Sequence, residues 1–197
     1  MPDKSMGLGP HPVHMSAVAV AIPAESRVRQ AYGSTDLADA YEIRLPQGTT
    51  SDPKALAQFI FSNPDGGVSV LMRLRDLIVG PFGLKTVAGL KKSSDYRIDI
   101  FKVYETSVAE IILGEDDKHL DFRVSVLHRI EPHRGEKAAF VVVSTVVHCH
   151  NRLGRLYLSL VEPFHRRVVK AMLRRAALRG WPAPAPGDAP SPAPARP

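Results

Sequence analysis

The sequence predicts an α+β domain, a curved antiparallel sheet wrapped around a long C-terminal helix. Three observations lead there. Strand-like runs dominate residues 96–150, ending in the β-branched stretch Ala138–His150. After them, Tyr157, Leu160, Val161, Phe164, Val168, Ala171 and Met172 recur at helical spacing. A helix with such a stripe must cover one face of a sheet, and 197 residues suit a single core with tails.

The elements follow in order. Met15–Ile22 is apolar but short, and Pro23 ends it. With Asp3 beside Lys4 upstream it makes a poor export signal, so it reads as an edge strand entering the domain. Leu37–Leu45 alternates Tyr41, Ile43 and Leu45 against Glu42 and Arg44, and Pro46-Gln47-Gly48 turns it. Two short helices follow. Asp52 caps the first and Pro53 opens it. The second spans Val68–Val79 and stops at Gly80-Pro81. Tyr96–Thr106 reads as one imperfect strand. Ala109–Gly114 and His119–Leu127 flank the hairpin loop Glu115–Lys118. Leu120, Phe122, Val124 and Val126 mark the buried face there, and Asp121, Arg123 and Ser125 the other. Glu131–Lys137, with Pro132 and Gly135, is a connection. The last helix runs from about Gly154 to Arg179 with Asn151 near its start. Pro163 lies inside it, so a helix that begins at Pro163 is the alternative.

Composition narrows the class. A hydrophobic fraction of 44% with 23% charged residues is that of a globular protein rather than a disordered one. No apolar run reaches the roughly 20 residues that a membrane-spanning helix requires. The single Cys149 excludes an internal disulfide and a four-thiolate zinc site, and with it the expected location is cytoplasmic. Residues 1–14 and the Pro/Ala-rich 182–197 read as disordered tails around a domain at 15–181. The net charge is +6. From Gly154 to Arg179 seven cations face one acid, Glu162, so the last helix carries an excess equal to that of the whole chain. Such a stripe is either a solvated face or a surface for anionic partners.

Two longer segments carry a family resemblance. Leu113-Gly-Glu-Asp-Asp-Lys-His-Leu-Asp-Phe-Arg-Val-Ser-Val126 is one. The other is His150-Asn-Arg-Leu-Gly-Arg-Leu-Tyr157 with Pro163-Phe-His-Arg166. Together with Leu74-Arg-Asp76 and Gly83-Leu-Lys85 they resemble the bacterial family called domain of unknown function 2867, over about Asp36–Arg175. That family has no established activity and is similar to the START-like, or helix-grip, superfamily of hydrophobic-ligand binders and polyketide cyclases. The resemblance therefore implies a START-like domain. Some relatives carry it behind a short-chain dehydrogenase domain. This chain has no glycine-rich dinucleotide fingerprint, so no nucleotide cofactor is expected.

Candidate chemistry gathers on few residues. His148 and His150 share a strand face, as a pair of hydrogen-bonded imidazoles or as the start of a metal site completed by His119 or Asp121. No metal is expected, since a full ligand set is not visible. His119, Asp121 and Arg123 share another face, as a charge ladder or an anchor for a substrate carboxylate. Cys149 lies in an apolar alternation and reads as a buried, inert thiol. The matched motifs add Asn151, Arg155, Tyr157, Phe164, His165 and Arg166. Asn151 can cap the helix, and Tyr157 and Phe164 fit its apolar stripe.

Three functions follow from this. The first is binding of a hydrophobic or amphipathic small molecule in a cavity between sheet and helix, contacted by His119, Arg123, Asn151, Arg155, Phe164 and Arg166. The second is a cyclase- or isomerase-like enzyme in that cavity, using His150, His165, Asp121 and Tyr157 as acid–base groups. The third is an interaction protein working through the basic helix. Without interleaved aromatics, single-stranded nucleic acid is not the expected partner.

Overall fold

The computed structural model describes residues 16–61, 96–99, 101–133 and 135–186. These form a seven-stranded antiparallel sheet, one short helix and one long one. The strands are β1 (Val18–Val20), β2 (Leu37–Arg44), β3 (Arg97–Ile98), β4 (Phe101–Thr106), β5 (Glu110–Asp116), β6 (Leu120–His133) and β7 (Glu136–Cys149). Helix α1 spans Pro53–Phe61 and α2 Arg152–Arg179. The order across the sheet is β1-β2-β7-β6-β5-β4-β3. The curved sheet holds α2 on one face, the helix-grip arrangement that strand and helix order predict. The second short helix expected at Val68–Val79 lies outside the described residues.

Alternation builds two different faces. Tyr41 and Ile43 of β2, Val141 and Val143 of β7, and Val124 and Val126 of β6 point inward, where Val169, Met172, Leu173 and Ala176 of α2 and Leu56, Ala57 and Ile60 of α1 complete the core. The opposite face is also covered. A 3-10 turn at Arg27–Gln30 sets Val28 against Ile112 and Val146. Thus Ser125, expected to be on the exposed face, is fully buried. It donates to the buried Glu110, which also accepts from Ser26 Oγ at 2.6 Å and from the Arg27 amide at 2.9 Å. Three donors compensate this carboxylate for lost water.

Several expected boundaries move, each for a local reason. Tyr96–Thr106 is not one strand: Asp99 adopts φ 54°, a left-handed position that Asp tolerates, and the chain doubles back so that Ile98 pairs with Phe101. Glu131–Lys137 is no loose connection, because β6 and β7 stay paired out to His133 and Glu136. Past Leu127, β6 has no β5 partner, so Pro132 sits where its missing donor faces a free edge. The hairpin loop after β5 is shifted as well, since Asp116 still pairs with Asp121. The helix begin at Pro163 is overturned: α2 is continuous from Arg152 through Pro163. As expected, Asp52 caps α1, accepting from the Lys54 and Ala55 amides.

The start of α2 is welded to the β5–β6 hairpin. Asn151 Oδ1 accepts from the Gly154 amide at 3.1 Å, and the His150 amide donates to the His119 carbonyl at 2.9 Å. Gly154 then passes so close that a Cβ there would lie 2.1 Å from that carbonyl oxygen. At the other end, the Thr50 amide donates to the Pro182 carbonyl, and Trp181 packs against Phe59.

Alanine in place of a helical glycine usually gains about 1 kcal/mol. Here Gly154→Ala loses about 1–3 kcal/mol instead, because the hairpin must move away. A urea midpoint below that of the unsubstituted protein is the expected result; an equal or higher midpoint contradicts the close approach.

Candidate functional site

Under α2 the apolar layer is not continuous. The main core ends at Tyr41, Val143 and Val169, and a smaller cluster of Leu37, Val147, Cys149 and Leu158 lies beyond it; Phe122 touches both. The residue between Leu37 and Tyr41 on the inward face of β2 is Asp39. Its cross-strand partner is Thr145, which in turn pairs with Val124. Helix α2 brings His165 down onto this seam. His165 Nε2 stands 3.4 Å from Asp39 Oδ1, and each side chain is 14% exposed. Tyr41 OH donates to the other carboxylate oxygen at 3.3 Å.

The electrostatics of the seam are those of a withheld pair. Asp39 Oδ1 and His165 Nε2 are both shut off from solvent and face each other at ion-pair distance, with no well-directed hydrogen bond to either atom among the described residues. Burial first, then the charge of Asp39, pushes the Tyr41 phenol above its usual range, so it remains a donor. Lys170 Nζ lies 5.4 Å from the Tyr41 ring centroid. A carboxylate facing an imidazole can hold one tautomer and stabilise the imidazolium, the arrangement that general acid–base chemistry uses.

Of the residues expected to act together, most lie elsewhere. His150 and Asp121 do meet, Nε2 to Oδ1 at 3.0 Å, but at the sheet's end, with Asp121 on the outer face and the His150 side chain 39% exposed. His148 packs edge-on against His150 and stacks on Tyr32, its Nδ1 lying 3.0 Å from the Ser34 carbonyl. Among the described residues no three His, Cys, Asp or Glu side chains are grouped so as to hold a metal ion. His119 is engaged with the cap, Nδ1 accepting from the Asn151 amide group at 3.0 Å. Tyr157 is half-buried on α2. Arg155 Nη1 lies 3.9 Å from Asp36, Arg166 pairs with Glu162 one turn earlier, and Phe164 is 48% exposed.

Arg123 forms a cross-strand ion pair with Asp116 and is engaged on all sides rather than open to an incoming carboxylate. Its guanidinium lies 3.5 Å over the Tyr104 ring and donates to Tyr32 OH at 3.0 Å and Asp116 at 2.7 Å. Burial alone would raise Asp116, but hydrogen bonds from Arg123 and Tyr104 more than offset it and hold the acid below its usual range. Tyr32 thereby ties the N-terminal segment to the outer face.

Sequence reasoning named His165 and missed Asp39 and Tyr41. The available signal was Asp39 itself, an acid inside the apolar alternation Leu37, Tyr41, Ile43.

Comparison with known families agrees with the motif reading. The model of the family described as "Protein of unknown function (DUF2867)" matches residues 31–172, which takes in β2 through most of α2. The chain belongs to that family. No curated protein and no solved structure matches it.

Two titrations follow from the buried groups. Burial pushes the Cys149 thiol up to about 11, with the nearby Asp36 adding to the effect. At pH 8 the native protein should therefore react with a thiol reagent far more slowly than the unfolded chain, and equal rates would show an open thiol. Burial lowers His128 below its usual range, so the unfolded state binds the extra proton first. Stability from this group is complete above about pH 6.5 and is lost as pH falls toward the folded value. Melting temperature should fall from pH 7 to 5, and His128→Gln should flatten that slope.

Proposed function

We propose that the domain binds a hydrophobic or amphipathic small molecule between the inner face of the sheet and α2, at the Asp39–His165 seam. The observation that supports this most directly is the pair of solvent-shielded polar atoms, 3.4 Å apart with no well-directed hydrogen bond, at a break in an apolar layer. Buried polar groups without partners are costly, and a few of them in an apolar site are what a binding pocket offers. The helix-grip arrangement favours kinship with START-like ligand binders. The working domain is taken as residues 15–181, with Pro182 still attached to it through the Thr50 amide. Among the described residues no helix is long and apolar enough to cross a membrane, and the single cysteine favours a cytoplasmic setting.

Acid–base catalysis in the same seam is the second reading, favoured by the Asp39–His165 pairing rather than by the expected His150, Asp121 and Tyr157. His165→Gln separates the two. A binding protein loses affinity, whereas an enzyme keeps its affinity and loses turnover.

The test is titration of the protein with N-phenyl-1-naphthylamine, a neutral probe that brightens in apolar sites. Saturable binding at one site is expected. Leu158→Gln, beside the seam, should weaken it about tenfold, the worth of one to two buried methylenes. Phe164→Gln on the exposed side should leave it unchanged. Loss of binding in Phe164→Gln with none in Leu158→Gln would move the site to the outside of the helix, and no saturable binding would end the proposal.

A further inference from the structure

The chemistry of the seam narrows what can occupy it. Asp39 Oδ2 already accepts from Tyr41 OH. What lacks a well-directed hydrogen bond is Asp39 Oδ1, which can take a donor, and His165 Nε2, which can take a donor or an acceptor according to its tautomer; the two stand 3.4 Å apart.

Three kinds of polar head can be weighed against that demand. A carboxylate or phosphate only accepts, so it leaves Oδ1 unpaired and sets a second negative charge against Asp39. Apart from His165 itself, the neighbouring cations are engaged. Arg166 is paired with Glu162, and Lys170 lies over the Tyr41 ring on the exposed side. An ammonium donates to Oδ1 but must leave water for a site walled by Leu37, Leu158 and Val169, and burial of a charge is costly. It also has nothing to accept with when His165 is protonated on Nε2. A hydroxyl donates and accepts at one atom and carries no charge, so it can donate to Oδ1 and accept from His165 when the imidazole is protonated on Nε2.

We infer that the seam takes the hydroxyl of a neutral amphipathic alcohol or phenol, donating to Asp39 and bridging to His165. This rests on the ligand-binding reading above. The apolar body of such a molecule lies along the Leu37–Leu158 cluster, with Phe122 at the junction with the main core.

Calorimetric titration of the full chain with 1-octanol, sodium octanoate and octylammonium chloride tests it, since the three share one tail. 1-Octanol should bind at least about tenfold more tightly than either ion, the scale set by leaving one buried polar group unpaired. Asp39→Asn removes the charge that rejects octanoate, so the alcohol-to-acid ratio should fall to about threefold or less. Octanoate or octylammonium binding as tightly as octanol overturns the inference while leaving a ligand pocket in place. So does an unchanged ratio in Asp39→Asn. If that variant does not fold, the ratio in the unsubstituted protein decides alone. Absence of binding by all three, with the naphthylamine probe also failing, removes the ligand-binding reading and this inference with it.

Discussion

Close approach of one helix turn to one hairpin sets the geometry of everything beneath α2. At Gly154 the helix backbone rests against the His119 carbonyl with no room for a side chain, while Asn151 satisfies the Gly154 amide and holds the His119 ring. From that fixed point a helix advances by 1.5 Å per residue, so the rows that face the sheet are determined along its whole length. Leu158 falls on Leu37, His165 on Asp39, and Val169 and Met172 on the main core. A slip of one residue at Asn151 would turn His165 away from Asp39 by about 100°.

The two faces of the sheet divide the labour. On the outer face, Glu110 with Ser26 and Ser125, and Arg123 with Tyr32, Tyr104 and Asp116, are saturated with partners. Satisfied networks of this kind hold a segment in place and leave no capacity for a ligand. The inner face has the reverse character. It is largely apolar, and at the seam Asp39 and His165 are buried without a well-directed hydrogen bond. Charge and histidine content alone would have put the function on the His148–His150 end. The proposed site lies under the helix instead.

This contrast also explains the matched motifs in physical terms. In the first, Gly114 is required because a Cβ would lie 2.2 Å from the Phe122 carbonyl oxygen, and Arg123 is the stacked clamp. In the second, Asn151 and Gly154 dock the helix and His165 delivers an imidazole to the seam. Much of what marks the family in this chain is thus the machinery that attaches α2 to the sheet.

Alternation of two residues and of 3.6 residues is written in the chain, so the strands, the capped helix α1, the long helix α2 and the inward positions Val124, Val126, Tyr41 and Ile43 were readable from it. The burial of Cys149 was readable too, from its apolar neighbours. Pairing partners were not, because strand register and the packing of a second layer depend on residues far apart in sequence. Tertiary structure alone therefore decided that Ser125 is buried, that Arg123 is clamped between tyrosines, and that His165 meets Asp39 across 126 positions of chain rather than joining His150 and Asp121. A periodic pattern says which face a side chain takes; only the folded sheet and helix say what waits on the other side.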